Sequence, residues 1–336
     1  MSGAGAGDAP RRPALSVTVL NYNYGHYLEQ CLSSILSQTW TDFEVILIDD
    51  ASSDGSSTVI DRIAGDPRVR VVRHQENRGF VASLLEGVER SDGDYLSVIS
   101  ADDWVLDPTA FEQQMRLLAA DPKLAVVHTG YGLVTDDASP PIECIRFGVA
   151  SVRSGRDAFL DFVVTEWPIH SGTIVRRAAY QLAGGYDRSV RYSLDAQLWL
   201  DLCFVGDVGY VPAVCYAYRR HPASMSKSPE ALRAMIGEVD TILDRCFARL
   251  PADERRAVRT TERRARNHNL TAFPVDAAFS DQRVLALRFL RVALQADWFR
   301  TISQRDTWIT LLRVAVGGRM FGRLRSLGGR ATGRRS

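Results

Sequence analysis

Short β-rich runs and helical periodicities take turns along the first 128 residues. Leu15–Leu20, Phe43–Ile48, Val69–Val72, Tyr95–Ile99 and Leu124–His128 read as strands. Between them, Tyr27, Leu28, Cys31, Leu32, Ile35 and Leu36 recur at helical spacing, as do Val81, Leu84, Leu85 and Val88. Ser56–Ala64 suits a short helix. Asp107–Pro108 predicts an N-cap followed by proline at the first position of a helix running to about Ala120. Strands alternating with helices imply a mostly parallel sheet covered on both faces. Such sheets bind ligands beyond the carboxyl ends of their strands.

Polar residues collect at those ends. Asn21 and Asn23 follow the first strand, and Asp49, Asp50, Ser52, Ser53 and Asp54 the second. Asn77, Arg78 and Gly79 follow the third, and Ser100, Asp102 and Asp103 the fourth. Each group alone is ordinary turn chemistry. Four at successive strand ends should converge on one rim. Adjacent carboxylates such as Asp102 and Asp103 suit Mg²⁺ or Mn²⁺, which favour oxygen ligands and keep phosphate and water in the shell. No G-x-G-x-x-G follows the first strand, where Asn21-Tyr-Asn-Tyr-Gly25 stands, and no Walker A sequence is present. Dinucleotide dehydrogenases and P-loop enzymes therefore lose their main support.

Beyond residue 128 the pattern is less regular. Residues 195–204 read as helix, and 208–218 as one or two strands broken by a turn at Pro212. From about Pro229 the chain is helical and Arg-rich. Residues 1–220 carry 29 acidic and 19 basic side chains, and residues 221–336 carry 11 and 22. An acidic front suits a metal site, and a basic back third suits an anionic partner. Five cysteines without a CxxC pair, in apolar surroundings, predict buried free thiols and a reducing compartment. Residues 1–13 lack the apolar stretch of a signal peptide and are expected to be disordered. No apolar run approaches the roughly 20 residues that span a bilayer, so a cytoplasmic protein is expected, with peripheral contact at the inner face of the membrane as an option.

Several motifs carry a family resemblance. Ser16-Val-Thr-Val-Leu-Asn-Tyr-Asn23, Ile35-Leu-Ser-Gln-Thr-Trp40 and Val45-Ile-Leu-Ile-Asp-Asp-Ala-Ser-Ser-Asp-Gly55 resemble the opening of family 2 glycosyltransferases. Asn77-Arg-Gly79, Ser100-Ala-Asp-Asp-Trp104, Gly184-Gly-Tyr-Asp187, Leu194-Asp-Ala-Gln-Leu-Trp199 and Tyr218-Arg-Arg-His-Pro-Ala-Ser224 continue it in order. The resemblance spans roughly residues 14–226. It implies the GT-A fold, a Rossmann-like mostly parallel sheet with helices on both faces, here with a C-terminal α-helical extension. The organisation it suggests is a catalytic domain over 14–226 (nucleotide half 14–128, acceptor half 129–226), a helical region over 227–316 and a basic flexible tail over 317–336.

The resemblance further implies inverting transfer of one sugar from a nucleotide diphosphate sugar, a UDP-sugar by family frequency. By position, Asp50 would meet the nucleobase, Asp102 and Asp103 would occupy the metal and diphosphate motif, and Asp195 would be the catalytic base. Asn21, Asn23, Ser52, Arg78 and Arg220 join the expected nucleotide-sugar contacts, with Arg219 a further phosphate partner. His221 is a candidate third metal ligand, and Trp167 and His170 are candidates for the acceptor side. Two positions depart from the family pattern. Ser100 stands where Asp-x-Asp has its first acid, and Leu194 replaces the Glu before the base. Ser100 is the one feature favouring a catalytically silent nucleotide-binding or interaction protein instead. The processive Gln-x-x-Arg-Trp motif is missing after Asp195, where the chain reads Gln197-Leu-Trp-Leu-Asp201. Single addition to a glycan, lipid-linked or small-molecule acceptor is therefore expected. Trp298, Phe299, Ile302, Trp308, Ile309, Leu311 and Leu312 lie close together, and after Asp306 seven arginines follow with no acid. Such an end can dock on an anionic leaflet or pack on its own domain. Nothing matches a nucleic-acid-binding motif, so no nucleic-acid partner is expected.

Overall fold

The computed structural model describes residues 12–135, 141, 143–149, 151–164, 171–221, 229–279, 283–303 and 305–316. Residues 1–11 of the expected disordered segment 1–13 and the expected flexible tail 317–336 lie outside the described residues, as do Trp167 and His170.

The elements run β1 (Leu15–Asn21), α1 (Gly25–Leu36), β2 (Phe43–Asp49), α2 (Ser56–Ile63), β3 (Val69–Arg73), α3 (Phe80–Glu89), β4 (Tyr95–Ser100), β5 (Trp104–Val105), α4 (Ala110–Ala120) and β6 (Leu124–Val134). They continue with β7 (Glu143–Ile145), β8 (Ser151–Arg153), α5 (Gly155–Phe162), β9 (Ile174–Arg176), α6 (Arg177–Leu182), α7 (Leu194–Leu202) and β10 (Asp207–Arg219). Helices α8 (Pro229–Ala248), α9 (Ala252–Ala257), α10 (Arg259–Phe279), α11 (Arg283–Ala296), α12 (Trp298–Ser303) and α13 (Arg305–Val316) follow.

One mixed, largely parallel sheet has the order β3-β2-β1-β4-β9-β6-β10-β5, with β7 on β6 and β8 on β10. β1 lies parallel to β2 and β4, and β2 parallel to β3. All seven residues of β1 and of β2 are buried, as in a sheet covered on both faces, and both strands are mostly apolar. Val17, Val19, Val45 and Leu47 pack with Leu28, Leu32 and Ile35 of α1 and Phe111, Met115 and Leu118 of α4. Phe43 and Phe111 meet edge to face at 5.7 Å. On the other face α3 approaches β1 so closely that a Cβ on Gly87 would stand 2.3 Å from Thr18 Cγ2. Helices thus cover both faces of β1, as the alternation implies.

The register aligns the strand ends. Asn21 pairs with Asp49, Asp49 with Arg73, and Leu20 with Ser100. The loops after β1, β2, β3 and β4 therefore leave from one rim.

Four expectations need correcting. The strand expected at Leu124–His128 runs on to Val134. The turn expected at Pro212 is instead an irregularity inside one long strand, where the β6 register shifts between Val211 and Val214. Proline has no N–H to give the ladder, so an offset there leaves no donor stranded. Helix α4 begins at Ala110, because Asp107 Oδ1 accepts the Thr109 N–H at 2.8 Å and holds Asp107–Thr109 as a turn ahead of it. Of the five cysteines, Cys144 on β7 is exposed while the other four are buried and free.

The described residues form two compact units. One falls within Met1–Phe159, Trp167–Arg188 and Leu198–His221, the other within Leu160–Glu166, Ser189–Gln197 and Pro222–Ser336. The second unit takes in Ser189–Gln197, so the segment that leads into α7 groups with the C-terminal helices.

Candidate active site

The first two loops of the rim are stitched together by residues expected to touch a nucleotide. Asn21 Nδ2 donates to Asp49 Oδ1 at 2.7 Å and to Ser52 Oγ at 3.0 Å. Ser52 Oγ donates to Asp49 Oδ1 at 2.6 Å and accepts the Asn23 N–H at 2.9 Å. Asn23, at φ 58°, returns its Oδ1 to the Ser53 N–H at 2.8 Å. Asp54 accepts the Gly25 N–H at 2.8 Å and the Ser56 N–H at 3.0 Å, fixing the starts of α1 and α2. Asn21 Oδ1 is buried with no hydrogen-bond partner, so one acceptor is left at the end of β1. Ala51 adopts φ 60°, a left-handed conformation that L side chains resist.

Asp50 anchors the third loop. Its Oδ1 accepts from His74 Nδ1 at 2.7 Å and the Arg78 N–H at 2.8 Å, and its Oδ2 accepts the Gly79 N–H at 2.8 Å. Gly79 at φ 84° gives the loop the turn this needs. Burial pushes the Asp50 pKa up, but the bonds from Arg78, His74 and Gly79 outweigh it and hold the carboxyl below its ordinary range. The Arg78 guanidinium is paired with Glu86 Oε2 at 2.6 Å, and His74 Nε2 meets the same oxygen at 3.0 Å.

The adjacent acids after β4 separate. Asp103 is buried, its Oδ1 accepting the Arg219 N–H at 2.9 Å and its Oδ2 accepting from the Ser171 hydroxyl. Burial, then the neighbouring Asp102 charge, pushes its pKa well up. Its two oxygens tie β4 to β10 and to Ser171. Asp102 instead points its Oδ2 at His221 Nε2, 2.9 Å away. The imidazole is enclosed by Tyr24 at 5.4 Å and Tyr27 at 5.8 Å.

Arg219 frames this pair. Its guanidinium lies between the rings of Tyr27 at 4.1 Å and Trp104 at 4.6 Å. It donates to the Asp102 carbonyl and to Gln30 Oε1, each at 2.9 Å. It is buried, and its bonds shape the backbone that carries Asp102, a different task from the phosphate contact expected of it. The Arg220 N–H extends the β6–β10 ladder to the Val134 carbonyl at 2.8 Å.

Among the described residues no three His, Cys, Asp or Glu side chains converge as a cation cage. Asp102 and His221 still offer an oxygen and a nitrogen on adjoining atoms. That set fits a divalent ion that takes its remaining ligands from a diphosphate and water.

Asp195 lies in the first turn of α7, within the second unit. Ser193 accepts the Gln197 N–H at 2.9 Å and so stands at the N-cap, leaving Asp195 inside the helix. Asp195 Oδ1 accepts the Ala196 N–H at 2.8 Å. Burial, and more weakly the Glu238 charge, raises its pKa above the ordinary carboxylate value. That direction suits a proton acceptor working near neutral pH.

Sequence reasoning passed over Tyr24, Trp104, His74, Glu86 and Ser171 as parts of this site, and took Tyr27 as core periodicity alone. Their partners lie across the fold, and Ser171 meets Asp103 across 68 residues.

A sequence profile of glycosyl transferase family 2 matches residues 16–181. Chondroitin synthase of Pasteurella multocida is 27% identical over 207 residues, 61% of this chain and only 20% of that protein. The chain thus matches about a fifth of the length of that relative. EpsE of Bacillus subtilis, which carries a provisional glycosyltransferase name, is 33% identical over 205 residues, 59% of this chain and 69% of EpsE. Among solved structures, Staphylococcus aureus TarS 1-349 superposes with a TM-score of 0.60 at 14% identity, over 83% of this chain and 80% of that one. The mannosyltransferase PcManGT from Pyrobaculum calidifontis, in complex with GDP-Man and Mn²⁺, gives 0.54 at 17% identity over 92% and 88%. At such identities the structural likeness speaks to the fold.

Proposed function

As the chain belongs to glycosyl transferase family 2, we propose that this glycosyltransferase moves a single sugar from a nucleoside diphosphate sugar, with UDP as the favoured carrier, to an acceptor hydroxyl with inversion. The observation that carries this reading is the Asp102–His221 pair, 2.9 Å apart on the rim where β1, β2, β3 and β4 end. A departing diphosphate gains negative charge, and a divalent cation held by Asp102 and His221 would neutralise it. Asn21, Asn23, Ser52 and Asp50 hold the loops against which the nucleotide would lie, and the buried Asn21 Oδ1 is an acceptor free for it. Arg78 and Arg220 extend the same rim. Asp195 takes the proton of the attacking hydroxyl, help worth typically ~10²–10⁴-fold. The acceptor is a glycan, a lipid-linked sugar or a small molecule. Trp167 and His170 remain its proposed contacts.

A peripheral membrane role at the cytoplasmic face belongs to the same reading. No helix among the described residues is long and apolar enough to cross a bilayer. On α12 and α13, Trp298, Phe299 and Trp308 are 64%, 66% and 60% exposed, with Ile302 and Leu312 also exposed. Trp298 and Phe299 meet at 5.8 Å, and Trp308 Nε1 donates to the Ile302 carbonyl at 3.0 Å. The seven arginines after Asp306 add the charge that an anionic leaflet attracts.

The test of the enzyme reading is calorimetric titration with UDP, dTDP and GDP, each with and without Mn²⁺. One nucleotide should bind in a metal-dependent way. A folded protein that binds none of the three would turn the reading toward a silent interaction protein.

A further inference from the structure

The residues ahead of α7 hang from one carboxylate on α8. Glu238 Oε1 accepts the Arg191 N–H at 2.8 Å, and its Oε2 accepts the N–H groups of Tyr192 at 3.0 Å and Ser193 at 2.9 Å. These amides lie at and before the N-cap, where a helix supplies no acceptors of its own. The Ser193 hydroxyl, the group that would ordinarily cap, is buried and makes no hydrogen bond. Glu238 takes over that task from 45 residues further along the chain. Its bonds are charge-assisted, and its negative charge suits the positive end of a helix.

We propose that Glu238 is a positioning residue for sugar transfer: by clamping residues 191–193 it fixes where α7 begins and so where Asp195 presents its carboxylate to the acceptor hydroxyl. This rests on Asp195 being the base. Asp195 lies two residues beyond the last clamped amide, and a small displacement of a reacting group is enough to slow a reaction by about 10²-fold. The clamp also places a like charge near Asp195, and Glu238 contributes to the raised pKa there.

Full-length wild type, Glu238→Gln, Glu238→Asp and Asp195→Asn are compared in two measurements. The first is amide hydrogen exchange over residues 189–200. The second is release of nucleoside diphosphate from UDP-glucose, UDP-N-acetylglucosamine and GDP-mannose as a function of pH. Gln keeps a single acceptor oxygen and no charge. Glu238→Gln should raise exchange at residues 191–197 at least ~10-fold, leave the donor KM within about twofold and lower kcat by about 10²-fold. It should also move the acid limb of kcat to lower pH, because a like charge has been removed from beside the base. Glu238→Asp, which keeps the charge on a shorter arm, should restore the acid limb and part of kcat. A purely structural role would lower stability and leave the acid limb where it was. Unchanged exchange in Glu238→Gln, or faster exchange with wild-type kcat and acid limb, overturns the proposal. If Asp195→Asn retains wild-type turnover, the base assignment is what fails. If Asp195→Asn is inactive and Glu238→Gln is unaltered, the base stands and Glu238 alone is refuted.

Discussion

His221 Nε2 stands 2.9 Å from Asp102 Oδ2, although 119 residues separate them in sequence. The neighbouring acid, Asp103, is turned inward onto Arg219 and Ser171. Two adjacent carboxylates thus divide the work, one facing the rim and one holding the strands beneath it.

That division predicts opposite outcomes for matched substitutions. Asp102→Asn or His221→Ala should weaken metal-dependent nucleotide binding by at least ~10-fold, about 1.4 kcal/mol, with the fold intact. Asp103→Asn can still accept from the Arg219 N–H and donate to the Ser171 hydroxyl, so binding should stay within a few-fold of wild type. Calorimetry with and without Mn²⁺ reads both. Loss of binding in Asp103→Asn alone would reverse the roles.

Arg219 is predicted to matter for stability. Its stacking between Tyr27 and Trp104 is of the kind worth about 2 kcal/mol when desolvated. Its bonds to the Asp102 carbonyl and Gln30 add a further ~1.5–3 kcal/mol each at most. Such contributions do not sum, and Arg219→Ala is expected to cost about 3–4 kcal/mol in urea denaturation. Lysine should recover little, since it lacks the planar fork that stacks and bonds at once. A loss below about 0.5 kcal/mol would contradict this account.

Asp195 makes a prediction with a sign. Burial, then the Glu238 charge, raises its folded-state pKa, so the protonated form favours the fold. That stabilisation is complete below the unfolded value of about 3.9 and is lost as pH rises through the folded value. Asp195→Asn should therefore melt higher than wild type at pH 7–8, while kcat falls about 10²–10⁴-fold. The acid limb of wild-type kcat should lie above the ordinary carboxylate range. Differential scanning fluorimetry across pH, paired with the rate profile, tests both halves.

The exposed surface of α12 and α13 should bind vesicles that contain phosphatidylglycerol and not pure phosphatidylcholine. Replacing Trp298, Phe299 and Trp308 by alanine should reduce cosedimentation at least ~10-fold, given about 1.5–3 kcal/mol for each large side chain buried. Added salt should weaken binding as well. Equal binding to both vesicle types, or binding unaffected by the three substitutions, would remove this role.

The first half of the fold was readable because its strands are rich in Val, Ile and Leu and three of the four end in Asn21, Asp49 and Ser100. Those changes of composition place β1, β2, β3 and β4 almost to the residue. The common rim was readable for the same reason. What the residues do within it was not. An Asp after a strand looks the same whether it faces a histidine at the rim, like Asp102, or a backbone amide 116 residues away, like Asp103. Arg219 reads as a phosphate partner because guanidinium suits phosphate, yet its aromatic neighbours come from α1 and β5. Asp50 reads as a nucleobase contact, and its oxygens already carry the third loop. The start of α4 was missed because Asp107 binds the Thr109 amide two residues ahead of the helix, a competition that periodicity does not register.

β10 completes the rim from outside the nucleotide half. Residues 14–128 supply Asp102, but the groups that seat it, Arg219 and His221, arrive at the end of β10 and just past it. The nucleotide half is accordingly no interchangeable cassette. A chimera that grafts residues 14–128 from a relative inherits an Asp102 equivalent without its counterpart. Recombination within such a lineage should be tolerated only where the exchanged block carries its own β10 terminus along.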